Sequence, residues 1–288
     1  MYAVAGVTGH TGRAAAEALL RQGATVRAIV RDQAKGAEWR SRGAEVVVAA
    51  LDDAAALTRA LTGVRAAYLL VPPPYSQPDP LDAQRRLADA IAEAIVASAI
   101  PHVVLLSSIG AQHAAGVGPI RGLHAAEARL TATGAPVTFM RSAYFAENWA
   151  AAIPVVKAQQ VLPSFIPLDL AVETIATADV GACAAHLLRG PAPAGSAVVE
   201  IGGVRPTTPR ELAEDLSRLI GRGVSAVEAP LDQVAPTFTS AGFSDAAAAL
   251  MREMYEGLAS GLVGYADPRS PSWRGKRRPI DVLAPLTR

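Results

Sequence analysis

The sequence predicts an α/β fold: an open, doubly wound parallel sheet joined to a smaller α+β C-terminal part. Apolar, often β-branched runs of four to six residues alternate with amphipathic helical segments as far as Arg141. That alternation requires parallel pairing and right-handed crossovers. A glycine string, Gly6-Val7-Thr8-Gly9-His10-Thr11-Gly12, stands between the first strand and the first helix, the context of a Rossmann-type nucleotide loop. Near Tyr144 the rhythm changes, and Pro154, Pro163 and Pro167 break up the next stretch of chain. Residues 1–150 are therefore expected to form the nucleotide-binding domain. Residues 151–288 would form a smaller substrate domain, with the segment near 197–201 able to return to the sheet.

Each element has a local reason. Tyr2–Ala5 is a short apolar strand, and the alanine-rich Arg13–Gln22 is a helix stopped by Gly23. Thr25–Val30 is a second strand, Gln33–Arg42 a helix ended by Gly43, and Glu45–Ala49 a third strand. Asp52 or Asp53 caps a helix running to about Leu61, and Ala66–Val71 is a strand broken by Pro72, Pro73 and Pro74. Leu81–Ser98 carries an apolar stripe at Leu87, Ile91 and Ile95. His102–Leu106, a helix over Leu123–Thr133 and Val137–Arg141 complete the pattern. Beyond it, Ala178–Leu188 reads as helix, Ala197–Ile201 and Val224–Glu228 as strands, and Asp245–Ala259 as helix. Thr208-Pro209-Arg210-Glu211 is a capping box with proline at the first helical position.

Composition narrows the function classes. Across 288 residues, 27 Lys and Arg against 26 Asp and Glu give a net charge of +1, which favours neither nucleic acid nor an anionic membrane. No apolar run approaches the ~20 residues of a membrane span, and Met1 leads into a strand rather than a signal-peptide pattern. Cys183 is the single cysteine, so no internal disulfide forms and a reducing, cytoplasmic setting is expected. The five histidines show no metal-ligand spacing, and no Gly-x-Ser-x-Gly elbow is present. The basic run Arg274–Arg278 reads as a solvated tail. A monomer or homodimer acting on a small molecule fits these bounds.

The glycine loop lets the backbone approach a pyrophosphate at a helix N-terminus. The second strand ends at Arg31, where an NAD site expects an acidic residue for the ribose hydroxyls. A guanidinium pairs instead with a 2′-phosphate, and Lys35 adds charge. These residues favour NADP(H) over NAD(H), with Asp32, one position on, as the acidic alternative.

Taken together, Gly6–Gly12, Arg31-Asp32, Ser107-Ser108-Ile109-Gly110, His124-Ala125-Ala126-Glu127 through Gly134, Met140–Asn148, Asp179-Val180-Gly181 and Ile201-Gly202-Gly203 resemble the NmrA-like branch of the atypical short-chain dehydrogenases. The His124–Glu127 segment is similar to that of its NADPH-dependent quinone and triphenylmethane reductases. The resemblance implies that Gly6, Thr8, Gly9, His10, Thr11 and Gly12 wrap the pyrophosphate, with Arg31 and Lys35 on the 2′-phosphate. It implies Asp52 near the adenine, Val71, Pro72 and Pro73 along the nicotinamide ribose, and Ser107, Ser108 and Ile109 beside the nicotinamide. It puts His124 where many relatives carry a ribose-contacting lysine. Ser142, Tyr144, Phe145 and Asn148 would separate cofactor from substrate.

One departure limits the chemistry. Typical short-chain dehydrogenases carry Tyr-x-x-x-Lys, whose lysine lowers the tyrosine pKa for proton transfer. With His124 at the lysine position the tyrosine position is Ile120, and no Tyr-x-x-x-Lys occurs in the chain. A quinone-like acceptor takes hydride and collects its proton from solvent, so a reductase needs positioning more than that acid. The reading is an NADPH-dependent reductase of a small conjugated acceptor. Candidate catalytic groups are His124 and Tyr144, and candidate pocket residues are Tyr75, His113, Tyr144, Phe145 and Asn148. The rival reading is a non-catalytic NADP(H)-binding redox sensor.

Overall fold

The computed structural model describes residues 1–267 and 269–287. In chain order the first half contains β1 (Tyr2–Val4), α1 (His10–Arg21), β2 (Val26–Val30), α2 (Ala37–Ser41), β3 (Glu45–Val48), α3 (Ala54–Leu61), β4 (Ala66–Leu70), α4 (Pro80–Ser98), β5 (Val103–Ser108), α5 (Ile120–Thr131) and β6 (Val137–Ser142). The second half contains β7 (Tyr144–Phe145), α6 (Ile153–Gln159), β8 (Val161–Ser164), β9 (Thr174–Ile175), α7 (Thr177–Arg189), β10 (Ser196–Gly202), α8 (Pro209–Ile220), β11 (Ser225–Glu228), α9 (Val234–Ser240), α10 (Asp245–Ala259), β12 (Trp273–Arg274) and α11 (Pro279–Leu283).

Among the described residues, eight strands form one sheet in the order β12-β10-β6-β5-β4-β1-β2-β3, and its neighbouring strands pair in parallel. Its central strands are buried on both faces, as helical crossovers require. One face packs against α1 and α7 through Leu19, Cys183 and Leu188. The other packs against α3, α4 and α5 through Leu57, Ile91 and Leu130. Gly181 sets the first contact, because a Cβ there would stand 2.4 Å from the Ala14 backbone. Caps fix the helix starts: Asp53 accepts from Ala56 N–H at 2.9 Å, Asp79 accepts from Asp82 N–H at 2.9 Å, and Thr208 and Glu211 form the capping box.

The chain after residue 150 shares this sheet. β10 pairs with β6 over six residues, and β12 forms the edge beside it. The short pairs β8–β11 and β7–β9 lie outside the sheet. The expected helix over 33–42 is divided: Gln33–Gly36 is a 3-10 turn, and α2 comes after it. Gly36 lies so close to β3 that a Cβ there would meet Val46 Cγ1 at 2.4 Å.

The basic run near the C-terminus is not a solvated tail. Asp179, 2% exposed, accepts hydrogen bonds from the backbone N–H groups of Lys276 and Arg277 at 2.9 and 2.8 Å and from Arg277 Nη1 at 2.5 Å. Arg274 reaches Glu173 at 3.2 Å and the Gly203 carbonyl at 3.0 Å. These charges fasten the last segment to α7 and to the sheet edge. His102 is likewise structural, its Nε2 lying 3.0 Å from Thr138 Oγ1 in the core.

Candidate cofactor and substrate site

The glycine loop leaves β1 with Gly6 at φ +66°, in the left-handed region that glycine occupies without strain. Gly9 is the N-cap of α1 and offers no side-chain cap, and the first turn of the helix holds no acidic residue. The first-turn N–H groups are therefore open to an anion at the positive end of the helix dipole. Thr8, Gly9 and His10 are exposed on this loop. A Cβ on Gly12 would stand 2.4 Å from the Ala5 carbonyl oxygen and from the Gly6 backbone, so the helix is seated directly on the turn. The residues fit a dinucleotide pyrophosphate. Gly12→Ala must push the helix off the turn, at roughly 1–3 kcal/mol. Isothermal titration with NADPH should show Kd raised about 10- to 100-fold; an unchanged Kd removes the loop from the site.

The second strand decides the charge at the adenosine end. Asp32 is engaged locally: its Oδ1 accepts from Ala34 N–H at 2.9 Å and caps the 3-10 turn. Arg31 and Lys35 are exposed and have no ion-pair partner among the described residues. Their neighbours are committed: Arg13 to Glu38 at 2.5 Å, Arg27 to Glu45 at 2.9 Å and Arg42 to Glu17 at 2.6 Å. Two free cations beside an occupied carboxylate favour a 2′-phosphate over bare ribose hydroxyls. Asp52 is exposed beyond β3, and it is Asp53, not Asp52, that caps α3.

A cavity of about 330 Å³ opens at the carboxyl ends of β4, β5 and β6 and reaches Thr11 at the glycine loop. The β4 end contributes Val71, Pro72 and Pro73, and the β5 end Ser107, Ser108 and Ile109. The β6 end contributes Ser142, and Tyr144, Phe145 and Asn148 follow it. Tyr75 closes one side, its ring stacked on Phe243 at 4.3 Å and its carbonyl accepting from Ser244 N–H at 2.8 Å. This contact ties the proline loop to the segment before α10. Burial pushes the Tyr75 phenol up to about 12. Burial also raises Tyr144 well above the usual tyrosine range; Tyr255 raises it further, and a hydrogen bond with Asn148 offsets part of the rise. Both phenols hold their protons throughout the physiological range.

The structure places two of the candidate histidines away from the lining of this cavity. His124 does not face this cavity: its Nδ1 lies 2.9 Å from the Ala111 carbonyl oxygen, and its ring borders a separate open hollow with Gln112 and Arg141. The cavity face of α5 presents Ile120 and Leu123 instead, and His124, one turn after Ile120, lies on the flank of the helix where the Ala111 carbonyl holds its ring. His113, in the loop after β5, is half-buried and does not line the cavity.

Behind the strand-end serines lies a buried network that no local motif assigns. Ser107 donates to Glu127 Oε1 at 2.6 Å, and Glu127 accepts from Arg141 Nε at 3.0 Å and Nη2 at 2.6 Å. Glu127 and Arg141 are 7% and 8% exposed. With its proton committed to Glu127, Ser107 turns lone pairs, not a donor, toward the cavity. A glutamate four residues after Leu123, on the buried stripe of α5, was the available signal. Met254, Leu258 and Val263 complete the wall from α10 and the loop after it. More than 100 residues separate them from the strand ends, and nothing local marks them.

An open parallel sheet with a crevice at its strand ends and an uncapped helix terminus beside it defines a dinucleotide-binding protein of Rossmann architecture. The sequence profile of the NmrA-like family matches residues 2–273, and the chain belongs to that family. It is 31% identical over 233 residues to a (4-alkanoyl-5-oxo-2,5-dihydrofuran-3-yl)methyl phosphate reductase of Streptomyces griseus, covering 81% of this chain and 78% of the relative. The NADPH-dependent quinone oxidoreductase of Escherichia coli complexed with NADPH superposes with a TM-score of 0.83 at 23% identity, covering 100% of both chains. The triphenylmethane reductase of Citrobacter sp. complexed with NADP(H) superposes with a TM-score of 0.84 at 18% identity, also over 100% of both chains. Among the described residues no helix is long and apolar enough to cross a membrane, and no group of three metal-ligating side chains occurs.

Proposed function

We propose that this protein is an NADPH-dependent reductase of a small, planar, conjugated acceptor such as a quinone. The carrying observation is one continuous apolar and aromatic cavity that begins at Thr11 and ends at Tyr144. Bound NADPH supplies the hydride. The glycine loop would hold its pyrophosphate and Arg31 with Lys35 its 2′-phosphate. Ser107, Ser108 and Ile109 would seat the reactive ring, and Phe145, Met254 and Leu258 would exclude water from it. On this reading the sheet serves the cofactor, and the part of the chain carrying α10 covers the substrate.

The Tyr144 phenol, kept protonated by burial, would turn the hydrogen bond it gives Tyr255 to the acceptor's carbonyl oxygen as negative charge develops there. No lysine lowers its pKa, so the final proton can come from solvent. The reductase names carried by relatives across the family support this reading.

Purified protein with NADPH and a panel of quinones, azo dyes and unsaturated lactones tests it by loss of absorbance at the reduced-nicotinamide band. At least one class should be turned over. Tyr144→Phe should then lower kcat about tenfold or more with little change in the Kd of NADPH. Tight NADPH binding with no turnover of any acceptor would overturn the reductase and support a redox sensor, which Ile120 in the place of the usual tyrosine also allows.

A further inference from the structure

Gln84 sits in the second turn of α4 and is 1% exposed. Its Oε1 has no hydrogen-bond partner, one of four such buried side-chain atoms among the described residues, with Trp39 Nε1, Tyr68 OH and Tyr265 OH. Of these four residues, Gln84 is the one that lines the cavity. A buried amide left unpaired loses its hydration without compensation, and an isosteric leucine would pack there at no such cost. Its place is made by Gly122 of α5: a Cβ on that glycine would stand 2.1 Å from Gln84 Oε1. The helix pair thus carries a glycine opposite a polar side chain whose partner the protein does not provide.

Gln84 shares the cavity lining with Leu70, Ile120 and Leu123, none of which can take the hydrogen bond, no other side chain among the described residues takes it, and His124 is turned to the Ala111 carbonyl. A dinucleotide with its pyrophosphate at the start of α1 and its reactive ring at Ser107–Ile109 must lay its second ribose between them. Vicinal hydroxyls there both donate and accept, as a carboxamide does. We propose that Gln84, reaching over Gly122, is the side chain that binds the nicotinamide-side ribose hydroxyls, and that His124 has no part in the site. The inference rests on the proposal that the cavity holds NADP(H).

Isothermal titration of wild type, Gln84→Leu and His124→Ala with NADP+ and with adenosine 2′,5′-bisphosphate tests it. The bisphosphate lacks the nicotinamide riboside. For NADP+ the Kd of Gln84→Leu should rise about 3- to 10-fold, and that of His124→Ala should stay within twofold of wild type. For the bisphosphate all three should agree. Thermal unfolding without ligand should show Gln84→Leu at least as stable as wild type, because no protein contact is lost. An unchanged NADP+ affinity, an equal loss for the bisphosphate, or a destabilised ligand-free Gln84→Leu protein overturns the assignment. Failure of wild type to bind NADP+ at all would instead defeat the cofactor reading.

Discussion

Replacing Glu127 by alanine should cost the fold about 3–5 kcal/mol, because the change strands a buried guanidinium. Arg141 would keep only Glu200, 3.9 Å from its Nη1, and the Gln112 Oε1 at 3.4 Å. Glu200 is itself occupied by the Ala266 N–H at 2.8 Å and the Ser270 hydroxyl at 2.7 Å, so it cannot move to replace the lost carboxylate. At a few degrees per kcal/mol for a chain of this size, the melting temperature should drop on the order of 10 °C. A paired change, Glu127→Leu with Arg141→Met, removes both charges together and should recover most of the loss. Thermal unfolding of wild type and the two variants measures this; a fall of only a degree or two in Glu127→Ala would show that the pair is not a structural element. The effect should reach the site as well. Ser107 would lose its acceptor and be free to rotate its hydroxyl into the cavity.

The other large effect is expected at the adenosine end. Arg31→Ala combined with Lys35→Ala removes two charges that have no ion-pair partner among the described residues, so the fold should not weaken. Each charge-assisted hydrogen bond to a phosphate contributes roughly 1.5–3 kcal/mol. The double variant should therefore raise the Kd of NADPH by about two orders of magnitude or more, while that of NADH changes little. Parallel titration with the two dinucleotides reads the selectivity ratio directly. Equal losses for both would mean that these side chains serve something other than the 2′-phosphate. High salt should mimic part of the effect for NADPH alone, since exposed charges are screened.

Much of the fold could be read from the sequence because its causes are local. Strand runs, glycine stops and cap residues such as Asp53 and Thr208 act within a few residues, and they mark β1 to β6 and most helices to within a few positions. The C-terminal half was less legible. β10 reads as a strand in isolation, but its place beside β6 depends on a crossover through α7 and on β12 binding its outer edge. The basic run Arg274–Arg278 looked solvated because its partner, Asp179, lies almost 100 residues earlier.

The candidate site divides in the same way. The glycine loop, the strand-end serines and the Tyr144–Asn148 segment carry their roles in short motifs, since a backbone turn or a strand terminus fixes where such residues point. Arg31 was visible too, but the part played by Asp32 was not. Whether its carboxylate faces a ribose or caps the next turn is a choice between two nearby hydrogen bonds, and the Ala34 N–H takes it. On the assignment proposed above, Gln84 takes the ribose contact that the family resemblance implied for His124. Helical spacing alone allowed His124 into the cavity, whereas the rotation of α5 turns it to Ala111 and brings Ile120 and Leu123 inward. Gln84 lies on the buried stripe of α4 with Ala88, Ile91 and Ile95, and it reaches the cavity wall through the space that Gly122 leaves open.

By itself, then, the sequence determined a parallel sheet with a phosphate-binding turn and a positive charge at the end of its second strand, each enforced by neighbours in the chain. The tertiary structure decided which polar groups are spent on the protein and which remain for a ligand. That division depends on packing between distant helices, because a buried hydrogen-bonding group is defined by what lies against it in space.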